Sequence, residues 1–182
     1  MDAISLLMEE HQVILRALDA LDAFAAELSR GGGDPAELER FVRFIREFAD
    51  ARHHGKEEDI LFRAMVAAGF PREGGPIAVM LLDHDAGRAH VAAMARHLGT
   101  GAPWTAADRA EMVAAAGGYT DLLRSHIMKE DQILYPMAQH RLPEAVMEQV
   151  DRDCETFEAR QVASGADALK ELARELVQRH AA

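Results

Sequence analysis

Apolar positions in this chain recur every three or four residues along four long segments, the spacing of helices that bury one face. The first segment runs Ile4, Leu7, Met8, His11, Ile14, Leu15, Leu18, Leu21, and the second Val42, Ile45, Ala49, His53, Glu57, Ile60, Leu61, Ala64. The third runs Ile77, Met80, Leu81, His84, Val91, Met94, Leu98, and the fourth Tyr119, Leu122, Leu123, His126, Glu130, Ile133, Leu134, Met137. Breaks fall at Gly31-Gly32-Gly33-Asp34-Pro35, at Gly69-Phe70-Pro71 with Gly74-Gly75-Pro76, at Gly99 to Pro103, at Pro143 and at Ser164-Gly165. Asp34 reads as an N-cap with Pro35 in the first turn, and Thr105 as the cap of the fourth helix. Connections this short make neighbouring helices antiparallel, so the pattern predicts an all-α, up-down-up-down antiparallel four-helix bundle. Two further helices, near 144–161 and 166–179, are expected to pack outside it. That divides the chain into a bundle over residues 1–140 and a C-terminal helical extension over 141–182. Gly117-Gly118, inside the fourth helix, implies either a local bend or a close neighbour.

The polar residues on these stripes carry the chemistry. His11, His53, Glu57, His84, His126 and Glu130 all stand where the periodicity demands a core side chain. The segment HHGKEEDILF from His53 recurs without a gap as HIMKEDQILY from His126, so each copy holds a His-x-x-x-Glu element. Residues i and i+4 lie one turn apart on one helix face, and each copy therefore aims an imidazole and a carboxylate at one point. His11 and His84 lie early in their helices, His53 and His126 late, and antiparallel packing brings early and late positions to the same depth. Two carboxylates buried without partners cost several kcal/mol each, roughly, and metal cations remove that cost. Imidazole with carboxylate suits Fe, Mn or Zn. Four His and two Glu exceed one tetrahedral site and suit two metals, with both glutamates bridging.

A second His-x-x-x-Glu pair, His54 and Glu58, competes with the first. Its stripe through Arg46 and Asp50 is charged, whereas the His53 stripe through Ile45, Ala49 and Leu61 is apolar. His53 and Glu57 are therefore taken as the inner pair, with His54 in the outer layer or an occasional ligand. His90, His97, His140 and His180 lie off the inner stripes and are expected in solvent, as are Lys56 and Lys129. Cys154 reads as a small apolar packing residue. The methionines read as ordinary core or surface positions.

Composition and charge narrow the functions. The chain has 182 residues, 49% hydrophobic and a formal net charge of −11, which disfavours nucleic acid and anionic membrane as partners. A single cysteine and the acidic start MDAISLLMEEH, without a basic leader, point to a cytoplasmic protein. Charged residues interrupt every apolar run before transmembrane length.

The residues His11, His53–Glu57, His84 and His126–Glu130, with their HHxKEExxLF and HIxKEDxxLxP contexts, resemble the hemerythrin-like HHE cation-binding family over the first ~140 residues. The resemblance implies a four-helix bundle holding two iron ions as a non-haem di-iron centre. It also implies binding or sensing of O2, handling of NO or peroxide, or iron–sulfur repair. The oxygen-carrying hemerythrins use a His-x-x-x-His pair on the third helix, where this chain has Arg88, and an Asp on the fourth. By that count the chain has one His fewer and a second Glu. Arg88 either places a positive charge near the centre or points outward. Three functions follow: a di-iron protein that binds or senses a small diatomic ligand or peroxide, a di-iron redox enzyme, and a metal-storage or structural metal protein. A sensor of this kind requires a partner protein, and the charged C-terminal helix offers a face for an oligomer contact such as a homodimer.

Overall fold

The computed structural model describes residues 1–99, 103–162 and 166–180, and these are helical with no strand. Helix α1 spans Ala3–Ser29. Helix α2 runs without interruption over 35–67, α3 spans Gly75–Ala95, and α4 runs over 106–141. Helices α5, Glu144–Val162, and α6, Ala166–Arg179, follow. The break expected at Gly99 to Pro103 lies partly, and that at Ser164-Gly165 wholly, outside the described residues.

The starts obey the capping chemistry of the sequence. The Asp34 carboxylate accepts from the Ala36 amide with Pro35 at the first helical position, and Thr105 and Asp108 form a reciprocal capping box. Asp2 accepts from the Ser5 amide at the start of α1.

The apolar interior is divided in two. One core gathers Ile14, Leu18, Leu21, Phe24, Phe41, Phe48, Val91, Met112 and Leu123. The other gathers Ile4, Leu7, Leu61, Phe62, Met65, Met80, Leu134 and Tyr135. Along α1 the chain passes from the second core (Leu7) to the first (Ile14), and along α2 from the first (Ala49) to the second (Leu61). It returns along α3 from Met80 to Val91, and along α4 from Leu123 to Leu134. In every helix the crossing occurs at the histidines, so the polar residues form one layer between two apolar ones.

The C-terminal helices pack on this body. Val150 and Cys154 of α5 enter the second core, while Ala173 and Leu176 of α6 enter the first. The Ala3 amide donates to Asp151 of α5 at 2.7 Å, tying the start of α1 to the extension. Gly118 has a close neighbour: a Cβ there would lie 2.4 Å from the His90 ring, so the glycine makes room for α3.

Candidate metal centre

Two groups of potential ligand atoms lie between the apolar cores. His11, His53, Glu57 and Glu130 form one, and His54, Glu57, His84 and His126 the other, each with its atoms within 4.8 Å of one another. All are buried. The six residues expected from the stripes are brought together here, and His54 joins them.

Helical winding explains why His54 escaped the sequence pattern. Residues Ile45–His54 and Glu57–Leu61 of α2 are π-helical. The i→i+5 hydrogen bonding of a π-helix widens each turn, and such turns concentrate at functional sites. Ordinary α-winding places His54 on the charged stripe, whereas the wider turns let the consecutive His53 and His54 both reach the interior. Their ring centroids lie 5.6 Å apart, and His54 stacks on His84 at 3.8 Å. Residues Glu130–Leu134 of α4 are also π-helical, but there the residue after His126 is the apolar Ile127. With His54 the two groups together hold five imidazoles. The extra ring comes from α2, not from α3.

Both carboxylates face imidazoles of both groups. Glu57 sets Oε1 3.7 Å from His53 Nε2 and Oε2 3.4 Å from His84 Nε2. Glu130 Oε2 lies 3.3 Å from His11 Nε2 and 3.2 Å from His126 Nε2. Yet His53 Nε2, His54 Nε2, Glu57 Oε2 and both Glu130 oxygens are buried without a hydrogen-bond partner. Buried polar atoms are ordinarily satisfied, and orphaned ones converging on one space fit cations there.

Every imidazole has a carboxylate at its other nitrogen. Nδ1 meets Asp131 at 2.7 Å in His11, Glu10 at 2.9 Å in His53 and Asp50 at 3.4 Å in His54. It meets Glu58 at 2.7 Å in His84 and Asp83 at 3.3 Å in His126. A carboxylate at Nδ1 turns the Nε2 lone pair toward the centre, as partners of metal-ligating histidines do. The internal repeat thus extends to the other two helices. Glu58, after Glu57, holds His84 of α3, and Asp131, after Glu130, holds His11 of α1. Glu10, before His11, holds His53, and Asp83, before His84, holds His126.

Lys56 and Lys129 belong to the same scheme, which corrects the expectation that they face solvent. Lys56 is 0% exposed and bonds to Glu10 and, at 2.6 Å, to Glu158 of α5. Lys129 donates to Asp83 at 2.5 Å with 29% of its side chain exposed. Each lysine secures the carboxylate that holds the histidine of its own repeat. Arg52 adds a second cation beside Glu10 and Glu158. A polar pattern alone does not reveal this, because lysine before a ligand glutamate has the same spacing as a solvated residue.

The two halves differ at one further position. Tyr135, matching Phe62 of the first copy, donates its hydroxyl to Glu57 Oε1 at 2.5 Å and stacks on His11 at 5.5 Å. Arg88 bonds Asp50 and Glu58, the partners of His54 and His84, so its charge stands one layer outside the ligand atoms. His97 and His180 are also not solvated. His97 meets Glu111 at 3.2 Å, and His180 lies between the Phe24 and Phe41 rings beside Glu37. His140 is exposed, and Cys154 is buried.

The protonation of the site follows its charges. Burial pulls the His11 imidazole down, but its hydrogen bond to the Asp131 carboxylate and the adjacent negative charge of Glu130 outweigh it and raise the group to about 10. Burial likewise opposes, and Glu57 and Glu58 override, a rise of His84 to about 9. Burial pushes His54 down to about 3, leaving it neutral. Burial would raise Glu57, but His53 and His84 hold it well below the usual carboxylate range. Without metal, at neutral pH, the carboxylates are therefore balanced by protons on His11 and His84. A cation must displace both, since only neutral imidazole ligates. Metal uptake at pH 7 is expected to release the protons held by His11 and His84, with apparent affinity falling as pH drops. Calorimetry in buffers of different ionisation enthalpy measures the release directly; an uptake without protons would contradict this charge balance.

No described helix is long and apolar enough to cross a membrane. No curated protein and no solved structure matches the chain. The model of the hemerythrin HHE cation binding domain matches residues 2–138. That span contains every residue of the two ligand groups and stops short of α5 and α6. The chain belongs to the hemerythrin HHE cation-binding domain family.

Proposed function

We propose that this protein holds a non-haem di-iron centre and senses or acts on a small molecule such as O2, NO or peroxide. The observation that carries the reading is the pair of four-residue groups sharing Glu57, with their orphaned nitrogens and oxygens. His11, His53, Glu57 and Glu130 would hold one ion, and His54, His84, His126 and Glu57 the other. Glu130, within reach of His11 and His126, would join Glu57 as a bridge. Nitrogen and oxygen donors without thiolate suit Fe, Mn and Zn alike, and the family resemblance favours iron.

Two iron ions would supply a redox-active pair able to bind a small molecule and exchange electrons with it. The chain's own residues do the rest. Five carboxylates orient the imidazoles, the Tyr135 hydroxyl donates a hydrogen bond to Glu57, and the apolar layers above and below limit access by water. The four helices that carry the ligands are read as an up-down-up-down antiparallel bundle, supported by their alternating passage between the two cores. Residues 1–140 are assigned to this bundle and 141–182 to an extension packed on it.

The test is the absorption spectrum of iron-loaded, anaerobically reduced protein as O2 is admitted and withdrawn. A charge-transfer band that appears and reverses is expected for a binding or sensing protein. A one-way spectral change assigns the centre to redox turnover, with peroxide and NO as the next substrates. A spectrum indifferent to O2, NO and peroxide would sink the reading.

A further inference from the structure

A cavity of about 180 Å³ opens between α2, α3 and α4, lined among others by Asp50, His54, His84, Gly87, Arg88 and Tyr119. It lies against the two stacked imidazoles of the second ligand group and nowhere touches the first. Tyr119 is 2% exposed, and its hydroxyl is buried without a hydrogen-bond partner. Such a hydroxyl ordinarily finds a partner, so one that lines a cavity points to something that occupies it. Gly87 makes the space: a Cβ there would already touch the Tyr119 ring at 3.5 Å, and a longer side chain would extend from it.

The charge and size of the cavity limit the occupant. Arg88 is taken up by Asp50, at 2.7 and 2.9 Å, by Glu58 at 2.7 Å and by Asp85 at 3.1 Å. It has no uncommitted charge to offer an anion, and Arg46, the other cation of the lining, is exposed, where solvent and salt screen its charge. At ~30 Å³ for one water, the space exceeds a diatomic gas several-fold. With His54 Nε2 assigned to the second ligand group, the remaining unpartnered buried polar atom of the lining is the neutral Tyr119 hydroxyl.

We infer that this cavity is the approach pocket to the second ligand group, and that it takes a small neutral molecule bearing a hydroxyl oxygen. An alcohol or hydroperoxide of three or four carbons has the size and the polarity, with the Tyr119 hydroxyl bonded to its oxygen. Tyr119 is then a positioning residue, setting the oxygen of the bound molecule on the side of His54 and His84. The inference rests on the metal reading only for what that molecule meets there.

The experiment is an NMR titration of the zinc-loaded protein with 2-propanol, which reports occupancy without redox chemistry. Saturable shifts are expected at the amides of Gly87, Arg88 and Tyr119. Tyr119→Phe should weaken binding about three- to tenfold, the worth of one hydrogen bond. Gly87→Leu should abolish the saturable shifts. No saturable shift at these amides, or equal affinity in Tyr119→Phe, overturns the proposal, and the phenylalanine variant keeps that decision open to measurement even if Gly87→Leu fails to fold. Zinc content is measured on the same sample. A chain that takes up no metal refutes the metal reading, while the titration still decides the cavity.

Discussion

Glu57→Ala is expected to remove both metals at once, whereas His54→Ala should remove one. Glu57 is common to the two ligand groups, with one oxygen toward His53 and the other toward His84. Without it the first group falls to His11, His53 and Glu130, and the second to three imidazoles with Glu130 as their single remaining carboxylate. Tyr135 also loses the acceptor for its hydroxyl. His54 belongs to the second group alone, so its loss leaves the first complete. The measurement is metal content per folded chain after loading and gel filtration, with circular dichroism to verify helix content. Full loading of the Glu57 variant would refute the shared-ligand assignment. Loss of both ions in the His54 variant would show that the two positions fill only together.

The second large effect is on stability. Glu10→Ala should destabilise the protein by about 3–5 kcal/mol, because it strips the anion from a buried cluster and leaves the cations behind. Glu10 is 2% exposed and bonds Lys56, with Arg52 at 3.5 Å and His53 Nδ1 at 2.9 Å. Glu158 of α5 is the other anion, 19% exposed, and solvent compensates part of its loss. Glu158→Ala should therefore cost distinctly less than Glu10→Ala. A chain of this size loses roughly 2–4 °C of melting temperature per kcal/mol, so thermal unfolding separates the two. Equal melting temperatures for Glu10→Ala and the parent protein would mean that Lys56 and Arg52 find other anions. The same contacts join the C-terminal extension to His53 in a chain of charges, from Glu158 through Lys56 to Glu10.

Much of the site was legible because a buried polar residue disturbs an apolar period. His11, His84, His53–Glu57 and His126–Glu130 stood out for that reason, and the alternation of early and late positions set them at one depth. What the period could not fix was the inward turn of His54 and the partners of the lysines. His54 was assigned to a charged face by α-helical arithmetic, and the π-helical turns of α2 rotated it inward. Lys56 looked solvated, and only packing of α5 over α2 reveals it as the buried partner of Glu10 and Glu158. Glu10, Asp83 and Asp131 do not stand out in the sequence, because an acidic residue beside a ligand has the spacing of a surface charge. The adjacency of Glu10 to His11 and of Asp83 to His84 was the signal that could have found two of them.

The helices, the breaks between them that fall among the described residues, the caps, the duplicated ligand elements and the level at which they meet are all written in the sequence. These follow from local propensities and from periodicity, both properties of the chain read in order. The tertiary structure decided which imidazoles turn inward, which carboxylates hold them, where the lysines go and where a cavity reaches the site. Those depend on helix winding and on contacts between residues distant in sequence: His11 with Asp131, His53 with Glu10 and Lys56 with Glu158. No linear spacing encodes them.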